Sequence, residues 1–436
     1  MFLDCSHALP ARPPTPFAGV TVADLDGDGI DELFISSAGP NRVLKWVGTA
    51  FRDTAPPALA DHAHETLGCV AADFDGDGRE ELYLVNDGPA TDRLFDCQPD
   101  GRWVDLFDRP AHRHARNPHA TRAVAALDRR GHGRYGFAVT NHGRPLRLYE
   151  LGPSDAVTDL AVPLGIAVPV LGGGTVVAPL ASDRPDLYCV NELGANLLFR
   201  NTGMGTFLEV AAEHGLRDCH EHGRGGVPLD GGLVVCNRDG PHRLFARRPD
   251  GTYRNVATPA MALPSDVRTV VAADFDNDGW EELLFVNGAE SPRFFRRSED
   301  DVWSLADGGA LADGAGAGAA VADVDQDGRL ELVLTTTEAV RLFKWPDAGN
   351  NWLRVRPLTR FGAAARGAVV RLTAGRTQLR TICGGSGFRC QMEPVAHFGL
   401  GTADRVEAVQ VTWPDDTTVT LERPAVNRTI VVRYPG

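Results

Sequence analysis

The segment Ala71-Ala72-Asp73-Phe74-Asp75-Gly76-Asp77-Gly78 recurs along the chain. Val22-Ala23-Asp24-Leu25-Asp26-Gly27-Asp28-Gly29, Ala272-Ala273-Asp274-Phe275-Asp276-Asn277-Asp278-Gly279 and Val321-Ala322-Asp323-Val324-Asp325-Gln326-Asp327-Gly328 match it closely. Weaker copies at Asp128, Asp183 and Asp230 fill the gap between them. The seven anchoring aspartates are spaced by 49, 55, 55, 47, 44 and 49 residues. A period of this size marks a tandem architecture built from one supersecondary unit.

Each unit carries short strand signals separated by turn residues. An apolar run leads into the anchoring aspartate, and a second run follows it, as in Glu282-Leu283-Leu284-Phe285-Val286-Asn287. The third run is basic, apolar and aromatic, as in Arg42-Val43-Leu44-Lys45-Trp46, Arg93-Leu94-Phe95 and Arg341-Leu342-Phe343. The fourth alternates, as in Phe51-Arg52-Asp53 and Trp103-Val104-Asp105. No long amphipathic helix interrupts the pattern, so the class is all-β. Seven units of four strands predict a seven-bladed β-propeller over residues 1–346.

The seventh unit stops after its third strand. The missing strand is available at the other end of the chain. Phe2-Leu3-Asp4-Cys5-Ser6-His7-Ala8-Leu9-Pro10 resembles Phe51-Arg52-Asp53-Thr54-Ala55-Pro56-Pro57-Ala58-Leu59. The N-terminal strand is therefore expected to complete the last blade and remove a bare sheet edge, which also places Met1 near the true start of the mature chain. Beyond residue 350 the repeat is gone, and alternating runs predict a small separate β domain over 350–436.

Composition bounds the function. Of 436 residues, 43% are apolar and 23% charged, and the formal net charge is −14. That balance excludes a nucleic-acid surface, which needs a basic patch. No apolar run approaches a membrane span. Only two of the 44 basic residues are lysine, Lys45 and Lys344. The N-terminus shows no export signal, which favours the cytoplasm over secretion. Eight cysteines are too sparse for a disulfide scaffold. Cys189 and Cys236 read as small buried residues. A bridge between Cys383 and Cys390 stays open, with free thiols expected. The expected state is a monomer.

The four strong copies place carboxylates at loop positions one, three, five and nine. These are Asp24, Asp26, Asp28 and Glu32; Asp73, Asp75, Asp77 and Glu81; Asp274, Asp276, Asp278 and Glu282; Asp323, Asp325, Asp327 and Glu331. Four carboxylates on one tight turn repel, and a hard cation removes the repulsion. Ca²⁺ accepts six to eight oxygens in a flexible shell. Glycine at position six permits the sharp turn. Position seven (Ile30, Arg79, Trp280, Arg329) would supply a backbone carbonyl. The plain alternative is a solvated Asp-Gly turn, but four copies in register favour the metal, giving about four Ca²⁺. The weak copies lack the acids and should stay empty. Saturated ligation of this kind braces blades and leaves no open position for catalysis.

The loops resemble FG-GAP/VCBS propeller repeats. The tail resembles the ASPIC/UnbV domain through Asn350-Asn351-Trp352-Leu353, Arg366-Gly367-Ala368, Gly384-Gly385-Ser386-Gly387-Phe388, Met392 to Gly401 and Val411-Thr412-Trp413-Pro414-Asp415. Together they are similar to the cartilage acidic protein family over essentially the whole chain. The resemblance implies a Ca²⁺-binding propeller that in animals acts as an extracellular matrix or receptor-ligand protein. The chain departs from the pattern in its missing leader, its missing C-terminal extension and its fifth unit, where Asp230-Gly231-Gly232 has lost the acidic loop.

The acidic loops join first strands to second strands, so they share one face of the disc. The opposite face collects Arg122, His222, Arg224 and Arg268 just before inner strands, with Glu192 and a set of turn asparagines nearby. Asparagine is an ordinary turn residue. The arginines suit a carboxylate or phosphate, and His222 could act as acid or base. Two readings stay open. One is a Ca²⁺-braced interaction protein that holds a protein, glycan or small anionic ligand on this face. The other is a hydrolase, lyase or isomerase/cyclase working at the channel mouth through His222, Arg224, Arg122, Arg268 and Glu192. The chain has no HExxH, P-loop or Gly-x-Ser-x-Gly signature.

Overall fold

A computed structural model describes the whole chain except residues 12–14, 88–90, 153–155, 299 and 314. Strand dominates, and the two α-helices among the described residues, Pro57–Ala60 and Ala211–His214, have four residues each. The first unit is an antiparallel sheet of Phe17–Ala23, Glu32–Ser37, Arg42–Trp46 and Phe51–Asp53 in sequence order. The second, fifth and sixth units repeat that order. The third and fourth fuse into one seven-stranded sheet. The cause is a single strand, Gly136–Leu151, where the sequence suggests two. It pairs with Thr121–Leu127, with Val157–Asp159 and with the start of Pro169–Ala178. Val157–Asp159 and Trp303–Ala306 are outer strands that the sequence pattern did not single out.

The last unit consists of Gly318–Ala322, Glu331–Thr335 and Val340–Lys344, with Leu3–Asp4 as its outer strand. The register copies the first unit: Asp4 faces Phe343 and Leu3 faces Lys344, as Asp53 faces Leu44 and Arg52 faces Lys45. The ion pair is copied too, Arg341 to Asp4 at 2.9 Å and Arg42 to Asp53 at 2.9 Å. Phe2 anchors the strand against Phe275, Phe294 and Trp345, with ring centroids 4.9–5.3 Å away. The first and last units also meet directly, Phe17 N donating to Thr336 O at 3.1 Å.

The core is a circle of apolar clusters shared by neighbouring units rather than one central mass. Ala23, Phe34, Ala71 and Leu82 join the first unit to the second. Val20, Leu33, Ala320 and Val333 join the first to the last. Such clusters follow from strands buried on both faces, which read as continuous Val/Leu/Ile/Ala runs.

Residues 351–432 form two further sheets. Asn351–Pro357 lies between Ala396–Gly401 and the parallel Thr429–Val432. Arg376–Thr381, Val369–Ala374, Ala408–Thr412 and Thr418–Glu422 form the second. Leu353, Val370, Phe398, Val411 and Trp413 fill the space between them. This part has its own sheets and apolar cluster, and it packs against the repeats. It docks on the acidic-loop face and sends residues 384–391 through the centre of the ring. Ala126 N donates to Gly384 O (2.6 Å), Gly387 N to Gly226 O (2.6 Å), and Gln391 N to Val20 O (3.0 Å). Gln391 also clasps Ala71 through both its amide groups, at 2.8 and 3.0 Å. Inner strands meet this thread with glycine because nothing larger fits. A Cβ on Gly174 or Gly225 would lie 2.1 or 2.4 Å from Gly387 O. All eight cysteines are free. Cys383 instead meets Ser386 Oγ at 3.2 Å, while Cys390 is buried.

Candidate metal centres and the arginine-lined mouth

The four acidic loops share one construction. Position six is left-handed in each, with φ of 88°, 93°, 95° and 84° at Gly29, Gly78, Gly279 and Gly328. Position four is left-handed too, filled by Gly27, Gly76, Asn277 and Gln326. The first aspartate accepts the amide of position six, for example Gly29 N to Asp24 Oδ2 at 2.8 Å. The closing glutamate spends Oε2 on the amide of position two, Leu25 N to Glu32 at 2.8 Å and Val324 N to Glu331 at 2.8 Å. Its other oxygen, Oε1, is buried in all four loops; a lysine or arginine faces it at Glu32, Glu282 and Glu331, and among the described residues nothing partners it at Glu81. Asp24, Asp26 and Glu32; Asp73, Asp75 and Glu81; Asp274, Asp276 and Glu282; Asp323, Asp325 and Glu331 each bring one oxygen within 4.8 Å of the others. Burial pushes these acids up: Asp24 to about 6, Glu32 to about 7, Asp73 to about 7 and Glu331 to about 8. A cation among them removes the cost of that burial.

The loops differ in what already faces them. Lys45 Nζ lies on Asp26, on Asp28 at 2.7 Å and on Glu32 at 3.0 Å. Lys344 Nζ lies on Asp325 at 2.8 Å, on Asp327 at 3.0 Å and on Glu331. Arg296 covers Asp276, Asp278 and Glu282. The chain's only two lysines therefore sit at the same place in two different units. All three cations lie three residues after the arginine of the third strand, Arg42, Arg293 or Arg341. In the second unit that position is Asp96, which is buried and held by Gln98 and Arg109. Among the described residues, no ion pair reaches Asp73, Asp75, Asp77 or Glu81. The weak copies are built otherwise: Asp128 takes the amides of His132 and Gly133, and Asp186 takes those of Ala181 and Ser182.

Position eight of the loops carries a second function that the sequence reading missed. Its acids turn outward to the C-terminal sheets: Asp31 to Arg356 at 2.7 Å, Glu80 to Arg366 at 2.7 Å and Glu281 to Arg380 at 3.4 Å. Arg354 reaches Asp323 itself at 3.0 Å. His397 of the tail bonds Asn277 Oδ1 of the sixth unit's loop at 2.6 Å. The signal was present in the acid that precedes the closing glutamate in three of the four loops, Leu330 standing in the fourth, and in the arginine-rich tail.

On the other face, Arg122, Arg224 and Arg268 occupy the second position of their inner strands. A register shift at each of these positions turns the side chain out of the ladder. The three line one cavity of about 330 Å³, together with Arg389 at the end of the thread. Arg224 pairs with Glu192, and Arg268 pairs with Asp266 at 3.1 Å. His222 stands outside the lining and is exposed. The turn asparagines are structural: Asn86, Asn141, Asn237 and Asn287 are buried and donate to the carbonyl four or five residues on, as Asn141 does to Pro145 O at 2.8 Å. His242 is likewise buried, taking Asn237 N at 3.1 Å and stacking on Phe285.

The geometry agrees with what related chains show. FG-GAP-like repeats match residues 17–84, 233–285 and 274–334, and the ASPIC and UnbV family matches 359–436. Cartilage acidic protein 1 of Xenopus tropicalis is 38% identical over 96% of this chain and 73% of its own length. The Mus musculus protein is 39% identical over 96% and 74%, and the Homo sapiens protein 39% over 96% and 72%. The chain belongs to the cartilage acidic protein family. A solved structure of BBS1N in complex with ARL6DN aligns with a TM-score of 0.51 over 80% of this chain and 98% of that one, at 11% identity. That likeness concerns the fold alone.

Proposed function

We propose that this chain is a calcium-braced β-propeller interaction protein whose ligand sits on the face away from the acidic loops. Its two domains are residues 1–346 and 350–436. Asp24, Asp26, Asp28, Glu32 and the Ile30 carbonyl would hold one ion. Asp73, Asp75, Asp77, Glu81 and Arg79 O; Asp274, Asp276, Asp278, Glu282 and Trp280 O; and Asp323, Asp325, Asp327, Glu331 and Arg329 O would hold the others. The observation that carries the reading is Glu81 Oε1, buried, gathered with the carboxylates of Asp73 and Asp75 and left without any partner among the described residues. A buried charge of this kind is costly unless paired. An oxygen-rich, flexible site without nitrogen or sulfur donors suits Ca²⁺.

The four sites are not equal in this reading. Lys45, Arg296 and Lys344 compete with metal in three loops, and the second loop has no competitor, so it fills first. The ions act as braces, holding the loops on which the C-terminal arginines dock. Among the described residues lining the arginine cavity there is no carboxylate or imidazole, and Glu192, Asp266 and His142 beside it are taken up by Arg224, Arg268 and Arg122, which favours binding there over acid–base chemistry. Chelation tests the proposal: removing Ca²⁺ should lower the melting temperature, and an unchanged melt would overturn it.

A further inference from the structure

The reading above places a ligand on the face away from the loops, and the following rests on it. We infer that Arg122, Arg224, Arg268 and Arg389 together form a receptor for the oxyanion head of a small organic molecule, a carboxylate, phosphate or sulfate.

Three observations converge. First, the arginines come from four separate segments yet line one cavity. Three sit at equivalent register shifts in the third, fifth and sixth units, where the ladder is broken and the side chain is freed. Second, Arg389 is brought from the opposite face of the molecule by the thread. Its backbone is left-handed, φ 62°, a conformation that costs a non-glycine residue free energy and is retained where surroundings force it. Its guanidinium stacks on Phe388 at 4.6 Å, as Arg224 does at 4.8 Å, and its Nε donates to Arg122 O at 3.3 Å. Third, the charges do not balance. Glu192 neutralises Arg224 and Asp266 neutralises Arg268. Asp87 is the remaining carboxylate near Arg389. Four guanidiniums against three carboxylates leave one positive charge, and Arg224 Nε is buried without a hydrogen bond. A planar fork of donors suits an oxyanion. The cavity volume leaves room for a body behind the head group. The C-terminal part thus supplies one arm of a site on the far side of the ring.

The probes are benzoate and benzenesulfonate, with benzyl alcohol as a neutral control, titrated calorimetrically into the full chain with Ca²⁺ present. Both anions or one should bind, which separates carboxylate from sulfate-type heads, and the alcohol should not. Arg389→Met and Arg122→Met should each weaken binding about tenfold or more, as expected for a lost charge-assisted contact. Arg52→Met, on an outer strand, should leave it unchanged. Melting curves check that the Arg389 variant is folded, and the more exposed Arg268→Met serves if it is not. No binding of either anion, or equal binding by the Arg52 and Arg389 variants, overturns the inference. Hydrogen-exchange protection separates the two proposals. A different ligand protecting this face while the anions fail keeps the wider reading. Anions protecting only the acidic-loop face discards both.

Discussion

His242 shows how a single polar residue can mislead. It lies in a polar turn between the second and third strands of its unit, but the fold seals it against Phe285 between Asn237 and Ser265. Burial pulls its pKa down to about 4, with the Arg293 and Arg243 charges adding to the effect. The unfolded chain therefore binds a proton that the folded one refuses. The stability at stake is complete above about pH 6.5 and is lost as pH falls toward 4, up to about 3 kcal/mol. Urea unfolding at pH 7.5 and pH 4.5 should show a larger loss for the natural protein than for His242→Gln, by about 2 kcal/mol. Parallel losses in the two proteins would contradict this. Acidic ligands were legible because four copies align, whereas the partners of single residues, such as Arg389, depend on a route through the ring that no local pattern encodes.

Strands and turns were the most legible level. Aspartate spacing and the Arg-apolar-aromatic signature located the units, and the similarity of residues 2–10 to 51–59 located the outer strand of the last one. The exceptions have physical causes. Gly136–Leu151 runs on through the expected turn because His142 and Arg144 keep pairing with the next unit. Trp303–Ala306 is exposed along one side, so its alternation is weak. The N-terminal strand is held by two ladder residues and by Phe2, which is 2% exposed. Phe2→Ala should therefore cost about 3–5 kcal/mol, as large-to-small changes in a packed aromatic cluster do. Calorimetric melting measures it. A change below about 1 kcal/mol would mean the strand does not hold the last unit.

For the whole molecule, the sequence separated the repeats from the tail but not their joint. The tail was expected to be a separate domain because its pattern differs. Its docking depends on arginines and position-eight acids that find each other only in three dimensions. Arg366 is 1% exposed, pairs with Glu80 and donates to the carbonyls of Cys383 and Val22. Arg366→Met strands the Glu80 carboxylate and should cost about 3–5 kcal/mol. Adding Glu80→Gln should return part of that loss in a double-mutant cycle. Additive losses would show that the pair does not couple the two parts. Limited proteolysis of the single variant should also release the tail sooner than in the natural protein.

The central claim is that the acidic loops hold Ca²⁺ and that the second fills before the rest. Calorimetric titration of Ca²⁺ into the chelator-stripped chain tests it most directly. The account predicts one tight site followed by weaker ones, up to four in total, with Asp96→Lys abolishing the tight step and Lys45→Gln creating a second. Four equal sites, or no uptake at all, would contradict it.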